Sequence, residues 1–252
     1  MKVNMTKHGQ GLSRKPYSPG FEPQAVAIIP AAGAGVRMGV DRPKQYLDLD
    51  GRPLLSVTLE RFQQCPSVAE VILVVPPEDL DYCRKTVVEP LGIRKKVQIV
   101  GGGKRRQDSV LKGIEASRGN YDLVLIHDGV RPLVTTSLIG DAILAATHER
   151  AVITALPCKE TVKEVGEDLV VERTYNRGFV WLVQTPQVFH YKDIVHAHRK
   201  ALKEGWDDVT DDASLLERIG IPVRVLEGRE DNIKVTTPHD LDMARYLLER
   251  QS

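Results

Sequence analysis

Five short, nearly continuous apolar segments constrain the fold of this chain more than any other feature of its sequence. They are rich in β-branched residues and span 25–29, 71–75, 97–100, 123–126 and 151–156. Segments of this kind are typical of parallel strands that are buried on both faces of a sheet. Between them the sequence predicts helices over about 53–64, 79–88, 105–117 and 136–149. The alternation predicts an α/β fold, a Rossmann-like three-layer sandwich with a mostly parallel sheet.

The alternation ends after Pro157, where two strand-like runs, 161–165 and 169–174, flank a Gly-Glu-Asp turn. This spacing predicts a β-hairpin. An isolated hairpin is at best marginally stable in water, so this one has to pack against another surface. That surface is either its own domain or a second subunit.

The two ends of the chain carry different signals. Residues 1–22 are polar, rich in Gly, Pro and Lys/Arg, and lack the apolar stretch of a signal peptide. They are predicted to be a disordered tail, followed by a single domain over 23–252 with the hairpin as an arm at about 157–180. The tetrapeptide TPHD at 237–240 predicts a final helix, with an N-cap, a proline at N1 and an acid at N3.

Charge and cysteine content exclude several classes of function. The chain has 35 Lys+Arg and 34 Asp+Glu, a net charge of +1, so binding to nucleic acid or a membrane surface through bulk electrostatics is not expected. No apolar run approaches the ~20 residues of a membrane helix. Cys65, Cys83 and Cys158 are too few and too scattered for a disulfide framework or a zinc site. A reducing, cytoplasmic location is predicted.

The first predicted strand runs into a loop of small residues, PAAGAGVRMG at 30–39. Such residues let backbone N–H groups approach an anion closely. The loop is neither a dinucleotide fingerprint, which needs glycine where Met38 stands, nor a Walker A loop, which needs Gly-Lys at 38–39. Arg37 and the nearby Lys44 favour a triphosphate instead. A surface loop with two solvated charges is the alternative.

The segment HDGVRP at 127–132 follows the predicted strand over 123–126. A carboxylate at the carboxyl end of a parallel strand lies where open α/β sheets bind ligands. Asp128 suits Mg²⁺, a hard ion that takes oxygen ligands, and Arg131 is a candidate for the phosphate of a second substrate. An aspartate that caps a turn is the alternative. His127 is expected to be packed or hydrogen-bonded, because no second His or Cys lies at ligand spacing.

The order of these motifs resembles the sugar-phosphate nucleotidylyltransferases, in particular the cytidylyltransferases that act on 2-C-methyl-D-erythritol 4-phosphate. The resemblance covers about 24–250 through PAAGAGVRMG, PKQY, GGGKRRQDSV, HDGVRP, TPQ, TDDAS and EGREDNIKVTTPHDL. It implies one nucleotidyltransferase domain that transfers CMP from CTP to this polyol phosphate in non-mevalonate isoprenoid biosynthesis, with Mg²⁺ and as a homodimer. A ribitol 5-phosphate cytidylyltransferase shares nearly the same motifs and is the alternative.

The resemblance also implies individual roles. The catalytic residues would be Arg37, Lys44 and Lys234. CTP would contact Ala31, Ala32, Gly33, Ala34, Gly35, Gly103, Ser109 and Asp128, and Asp128 would also hold the metal. Lys104 stands where some relatives have an acidic residue that faces the base, and Asp231 matches a position near the metal.

The second substrate would contact Arg131, Thr161, Arg177 and Thr236. Of these, Thr161 and Arg177 lie on the arm and would reach the site of the neighbouring subunit. The TDDAS segment at 210–214 predicts a helix cap with a structural role. With no matched carboxylate in the sequence, His190, His196 and His198 are expected on the surface of a helix.

Overall fold

A computed structural model of the protein describes residues 23–33 and 43–250. The predicted tail over 1–22 lies outside these ranges, as do Ala34, Gly35 and Arg37. None of the helices in the described ranges combines the length and apolar character needed to cross a membrane.

The described strands and helices follow one another in the alternation predicted from the sequence. In chain order the strands are β1 (Ala25–Pro30), β2 (Asp48–Leu49), β3 (Arg52–Pro53), β4 (Val68–Val75), β5 (Lys96–Gly101), β6 (Leu123–Ile126), β7 (Ala151–Pro157), β8 (Lys163–Val165), β9 (Val171–Thr174), β10 (Trp181–His190) and β11 (Arg224–Glu227). The α-helices are α1 (Leu54–Gln64), α2 (Leu80–Cys83), α3 (Arg106–Ala116), α4 (Thr136–Ala146), α5 (Tyr191–Glu204), α6 (Asp212–Arg218) and α7 (Pro238–Glu249).

A seven-stranded sheet has the strand order β11-β7-β10-β6-β1-β4-β5. β10 is antiparallel to both of its neighbours, β6 and β7, whereas the other neighbouring strands are parallel. The chain proceeds from β1 to β4 and β5 on one side and then crosses to β6 on the other. The predicted mostly parallel sheet is confirmed, and the point between β1 and β6 is where the strand order reverses.

The strands are continuously apolar because helices cover both faces of the sheet. Along β1, Ala27 and Ile29 pack in the same cluster as Phe62 of α1, while Val26 and Ile28 pack with the α3, α5 and α6 side. Alternate residues of a strand point to opposite faces, so each face receives an apolar side chain at every second position. The predicted three-layer sandwich is confirmed.

Several elements differ from the prediction. The helical segment near 79–88 is irregular: the 3₁₀ turn Pro77–Asp79 precedes α2, a π-helical turn Arg84–Val88 follows it, and a 3₁₀ turn Glu89–Leu91 ends the segment. The short strands β2 and β3 and the mostly exposed edge strand β11 were not predicted, and neither was the antiparallel strand β10. Thr185-Pro186 interrupts its apolar pattern, and its pairing with β7 shifts register between Gln184 and Gln187.

The predicted hairpin, formed by β8 and β9, is a separate two-stranded sheet. Between Lys159 and Val183, only Val162, Gly166 and Val180 fall short of being exposed. The exposed side chains include large apolar ones, with Leu169 at 84% and Phe179 at 86%. The arm therefore does not fold back onto the core of its own chain.

Candidate active site

A cleft, called here the first cleft, lies at the carboxyl ends of β1 and β6, where the strand order reverses. This is the usual place for a ligand in an open α/β sheet. The described residues predicted to bind CTP or to be catalytic all line it, from loops that are far apart in sequence. They are Ala31, Ala32, Gly33, Lys44, Gly103, Ser109, Asp128 and Lys234.

Two small-residue loops come close together in the first cleft because glycine has no side chain. A Cβ atom on Gly102 would lie 2.5 Å from Cβ of Ala32 and 2.9 Å from Oγ of Ser109. The Gly102 amide donates to the carbonyl of Val75 at the end of β4. The Ser109 hydroxyl accepts from the amide of Gly103 at 3.0 Å. Ser109 thus supports the loop from the first turn of α3.

Lys44 is fixed at the edge of the first cleft by its neighbours. It begins a 3₁₀ turn, Lys44–Tyr46, that follows Pro43. Gln45 and Tyr46 are buried, and the Tyr46 ring meets Tyr82 edge to face with centroids 4.9 Å apart. Because the two residues after it are anchored, the backbone of Lys44 has a defined position.

Asp128 is the centre of a cluster of cations. Its Oδ2 lies 2.9 Å from Nζ of Lys234 and 3.5 Å from Nε of Arg131, and its Oδ1 lies 3.4 Å from Nε of Arg106. Burial opposes ionisation of Asp128, but these three positive charges outweigh it and lower its pKa below the ordinary value. Asp128 is therefore ionised at neutral pH.

The segment that carries Lys234 is held in place by buried polar contacts. The carbonyl of Asn232 accepts from Nη1 of Arg131 at 2.8 Å, and the Asn232 amide group donates to the carbonyl of Thr185. The Val235 amide bonds to the carbonyl of Val130. Lys234 stands between these two anchors, with 40% of its side chain exposed.

His127 is buried and fully hydrogen-bonded, as predicted. Its Nε2 donates to the carbonyl of Arg131 at 3.1 Å, and its Nδ1 accepts from the hydroxyl of Thr185 at 3.0 Å. That hydroxyl also accepts from the amide of Asp128. Burial lowers the pKa of His127 to about 4, so the ring is neutral. His127 therefore supports the backbone of Asp128 and has no nitrogen available to a metal.

The prediction that His198 is a surface residue is wrong. His198 is buried, and its Nε2 lies 3.1 Å from Oδ1 of Asp212. The carboxylate that the sequence analysis did not find comes from α6, which packs against α5. His196 is exposed, as predicted, and His190 bonds to the carbonyl of Ala146.

The predicted cap of α6 is confirmed, and the residue after it has a different set of contacts. Asp211 is the N-cap and accepts from the amide of Ser214, which confirms the cap. Asp212 does not serve as a cap: it is buried and its Oδ2 lies 2.6 Å from Nη1 of Arg106. Sequence reasoning missed both Arg106 and Asp212. The only signal for Arg106 was its place at the start of α3, directly after the glycine segment.

A second cleft lies on the other side of Asp128. Asp128, Arg106 and Lys234 line both clefts. The second cleft is also lined by Arg131, by Thr210 and by Gln184, Thr185 and Gln187 of β10. The two clefts thus share one cluster of charges, and polar groups from the sheet and from α6 face the second one.

Four predicted residues are absent from the described lining of both clefts. The Thr236 hydroxyl donates to Asp240 in the first turn of α7, and the Asp231 carboxylate pairs with Arg229 at 2.7 Å. On the arm, Thr161 is exposed and Arg177 donates to the carbonyl of Lys159. Within a single chain the arm residues do not reach the cluster around Asp128.

Comparison with known proteins identifies the family. The family model described as 2-C-methyl-D-erythritol 4-phosphate cytidylyltransferase (IspD) matches residues 25–250. The chain belongs to this family. A relative with that name from Syntrophus aciditrophicus is 45% identical over 92% of this chain and 98% of its own length. One from Geobacter metallireducens is also 45% identical, over 89% and 97%.

Solved structures of the IspD family have the same fold. A crystal structure of 4-diphosphocytidyl-2C-methyl-D-erythritol synthase from Anaerococcus prevotii is 35% identical, with a TM-score of 0.80 over 90% of this chain and 97% of its own. The cytidylyltransferase from Thermus thermophilus is 33% identical, with a TM-score of 0.73 over 90% and 99%. The predicted resemblance is confirmed, and the protein is a nucleotidyltransferase enzyme, a cytidylyltransferase.

Proposed function

We propose that this IspD-family chain transfers CMP from CTP to 2-C-methyl-D-erythritol 4-phosphate, giving CDP-methylerythritol and pyrophosphate for non-mevalonate isoprenoid biosynthesis. The observation that carries the proposal is that Lys44 and Lys234 line one cleft together with the small-residue loops and Asp128. A cleft with cations on a glycine-rich floor suits a nucleoside triphosphate. The ribitol 5-phosphate alternative is not favoured, because the family model and the relatives carry the methylerythritol name.

CTP occupies the first cleft in this proposal. Ala31, Ala32 and Gly33 would contact the phosphates, and Gly103 and Ser109 would contact the cytosine, with Lys104 beside them in the lining. Ala34 and Gly35, which are proposed to contact CTP as well, lie outside the described residues. Amides of the first turn of α3 are candidate donors to the ligand, since the first N–H groups of a helix have no partner within it. The amide of Arg105 is not one of them, because it donates to the carboxylate of Asp108. Lys44, Lys234 and, outside the described residues, Arg37 balance the triphosphate charge.

The reaction is a displacement at the α-phosphorus of CTP. A phosphate oxygen of the polyol phosphate forms the new P–O bond, and the bond from the α-phosphorus to the bridging oxygen breaks, so pyrophosphate leaves with that electron pair. A phosphate monoester has a second pKa near ~6, so the nucleophile is already ionised at neutral pH. No general base is needed, in agreement with a neutral His127 whose two nitrogens are engaged. Positioning and charge stabilisation supply the catalysis.

The residues present fit a Mg²⁺ ion as cofactor. Nucleotidyltransferases commonly use a divalent metal, and Mg²⁺ is usually held by one or two carboxylates together with substrate phosphates. Asp128 is the one carboxylate in the described lining of the first cleft, and the described residues contain no group of three metal-ligating side chains. Asp128 would hold the ion with the phosphates of CTP, where the ion would offset the phosphate charge.

We further propose that the enzyme is a homodimer in which the arm completes the site of the partner. In one chain the arm exposes Leu169 and Phe179 to solvent, which favours burial against a second copy. Arg131, in the second cleft, would contact the polyol phosphate from one chain. Thr161 and Arg177 would reach the same ligand from the other, and Thr236 would lie near it.

We also propose one nucleotidyltransferase domain over 23–252 and a cytoplasmic location. The three cysteines, Cys65, Cys83 and Cys158, are all free and buried, which agrees with a reducing compartment.

The decisive experiment measures pyrophosphate release from CTP with each of two acceptors. We expect turnover with 2-C-methyl-D-erythritol 4-phosphate, loss of turnover when a chelator removes divalent ions, and much lower kcat/KM with ribitol 5-phosphate. A higher kcat/KM with ribitol 5-phosphate would reverse the assignment of the acceptor. CTP binding without pyrophosphate release from either acceptor would refute the proposed reaction.

A further inference from the structure

Arg106, the first residue of α3, lies on the wall shared by the two clefts and bonds to two carboxylates. Its Nη1 is 2.6 Å from Oδ2 of Asp212, whereas its Nε is 3.4 Å from Oδ1 of Asp128. The first distance is that of a strong charge-assisted hydrogen bond, and the second is at the limit of one. The guanidinium is therefore held mainly by a carboxylate that does not line either cleft.

Asp212 is built into the core as a fixed anchor. It is 1% exposed, and its second oxygen, Oδ1, bonds to Nε2 of His198, which is also 1% exposed. Helix capping does not explain this placement, because Asp211 is the cap of α6. A carboxylate in such a position is destabilising unless it is paired, so its partners Arg106 and His198 account for its burial.

Asp212 determines which carboxylate the guanidinium of Arg106 pairs with. Asp128 and Asp212 are the two carboxylates that contact Arg106 within the described part of the chain. With the charge of Asp212 removed, the guanidinium would be attracted to Asp128 alone. A tight Arg106–Asp128 pair would occupy Oδ1 of Asp128 and would move the guanidinium away from the junction of the clefts.

We propose that Asp212, supported by His198, is a positioning residue that holds Arg106 between the clefts and keeps it from closing on Asp128. This inference rests on the proposed function in that Asp128 serves the CTP site. It adds a chain of contacts through α5, α6 and α3 that acts on the site without touching the substrate.

The first test is Asp212→Asn, which keeps the shape and removes the charge. We expect kcat to fall on the order of 10- to 100-fold, the usual effect of displacing a group that orients an active-site residue, and KM for CTP to rise, because Asp128 serves the CTP site. A purely structural loss would lower the active fraction and hence kcat, but it would leave KM unchanged. The control is Asp208→Asn, which removes an exposed carboxylate that pairs with Arg218 at the other end of α6. Equal kcat in the two variants would overturn the proposal.

The second test separates positioning from a purely structural role of His198. His198→Leu removes the donor to Asp212, whereas His198→Gln places an amide N–H close to the position of Nε2. We expect a loss of kcat for the leucine variant and recovery for the glutamine variant. If both variants lower Tm equally and the folded enzyme retains wild-type kcat, His198 is structural only and the positioning role is wrong.

A third measurement does not depend on activity. In a crystal structure of ligand-free Asp212→Asn, we expect two guanidinium nitrogens of Arg106 to lie within hydrogen-bond distance of the carboxylate of Asp128. An unchanged Arg106 would contradict the inference even if the enzyme were fully active. Conversely, a wild-type protein that fails to transfer CMP would refute the proposed function, while this structure would still decide how Arg106 is held.

Discussion

At the scale of single residues, Lys44 combines a fixed backbone with a charged end at the first cleft. Removing one preorganised charge of this kind costs on the order of 10²–10³ in rate. We therefore expect Lys44→Ala to lower kcat by that factor with Tm unchanged. Lys85→Ala, at an exposed lysine of the π-helical turn, serves as the control. Near-normal pyrophosphate release by Lys44→Ala would remove Lys44 from the mechanism.

His127 makes stability depend on pH in a defined direction. Its pKa is about 4 in the folded protein, below the ~6.5 of an unfolded chain, so between these values the unfolded state binds more protons. The free energy of unfolding therefore falls as pH is lowered through this window. From pH 7 to pH 5 the contribution of His127 is a loss of about 2 kcal/mol.

Urea denaturation at the two pH values measures this contribution. In His127→Gln, whose side chain does not titrate, we expect the difference in unfolding free energy between pH 7 and pH 5 to shrink by that amount. The comparison uses the pH difference within each variant, so a general loss of stability does not affect it. An unchanged difference would show that His127 does not titrate as its burial requires.

At the scale of elements, the loops after β1 and β5 touch at Gly102. A methyl group there would meet Cβ of Ala32 at 2.5 Å, so Gly102→Ala pushes the two loops of the first cleft apart. Overpacking of this kind costs about 1–3 kcal/mol, and we expect weaker CTP binding as well. Calorimetry with CTP and thermal unfolding measure the two effects.

The control for Gly102 is Gly140 in α4, where an added Cβ meets nothing within 4 Å among the described atoms. Gly140→Ala is expected to raise stability by about 0.5–1 kcal/mol, because alanine is the better helix former. It should leave CTP affinity unchanged. If Gly102→Ala behaved like Gly140→Ala, the close approach of the two loops would have no role in binding.

The strands and helices also show which parts of the fold can be predicted from the sequence. Five of the parallel strands were predictable because their buried residues leave a nearly continuous apolar signature, whereas the parallel edge strand β11 is mostly exposed and was not predicted. The helix α7 was predictable because its capping box is local. β10 was not, since Gln184, Thr185 and Gln187 face the second cleft and break the apolar pattern. The buried ion pair of Asp212 was not predicted, because a buried acid is recognised only by its partners, and Arg106 and His198 are distant in sequence.

At the scale of the whole molecule, the exposed apolar side chains of the arm predict that the protein forms a dimer. We expect sedimentation to give the mass of a dimer for the wild type and a shift toward monomer for Phe179→Asp, because that ring is 86% exposed in one chain. Leu202→Asp, on an exposed part of α5, is the control. A monomeric wild type with full activity would refute the shared site.

Mixing two defective variants tests whether the arm serves the neighbouring site. If the arm completes the site of the partner as proposed, a heterodimer of Lys44→Ala and Arg177→Ala has one site with both substitutions and one site with neither. We expect mixing to restore activity that each variant lacks alone. Absence of recovery, with subunit exchange demonstrated, would show that Arg177 acts within its own chain.

A single strand connects the exposed arm to the interior of the enzyme. β10 begins at Trp181 beside the arm, and within a few residues Thr185 bonds to the amide of Asp128 before the strand ends in the core. If the arm packs against another molecule, the contact would restrain the backbone of β10, which also orients the hydroxyl of Thr185. If the proposed dimer forms, assembly would therefore restrain the backbone of the residue that bonds to the amide of Asp128, and a change at one end of β10 is expected to affect the other end.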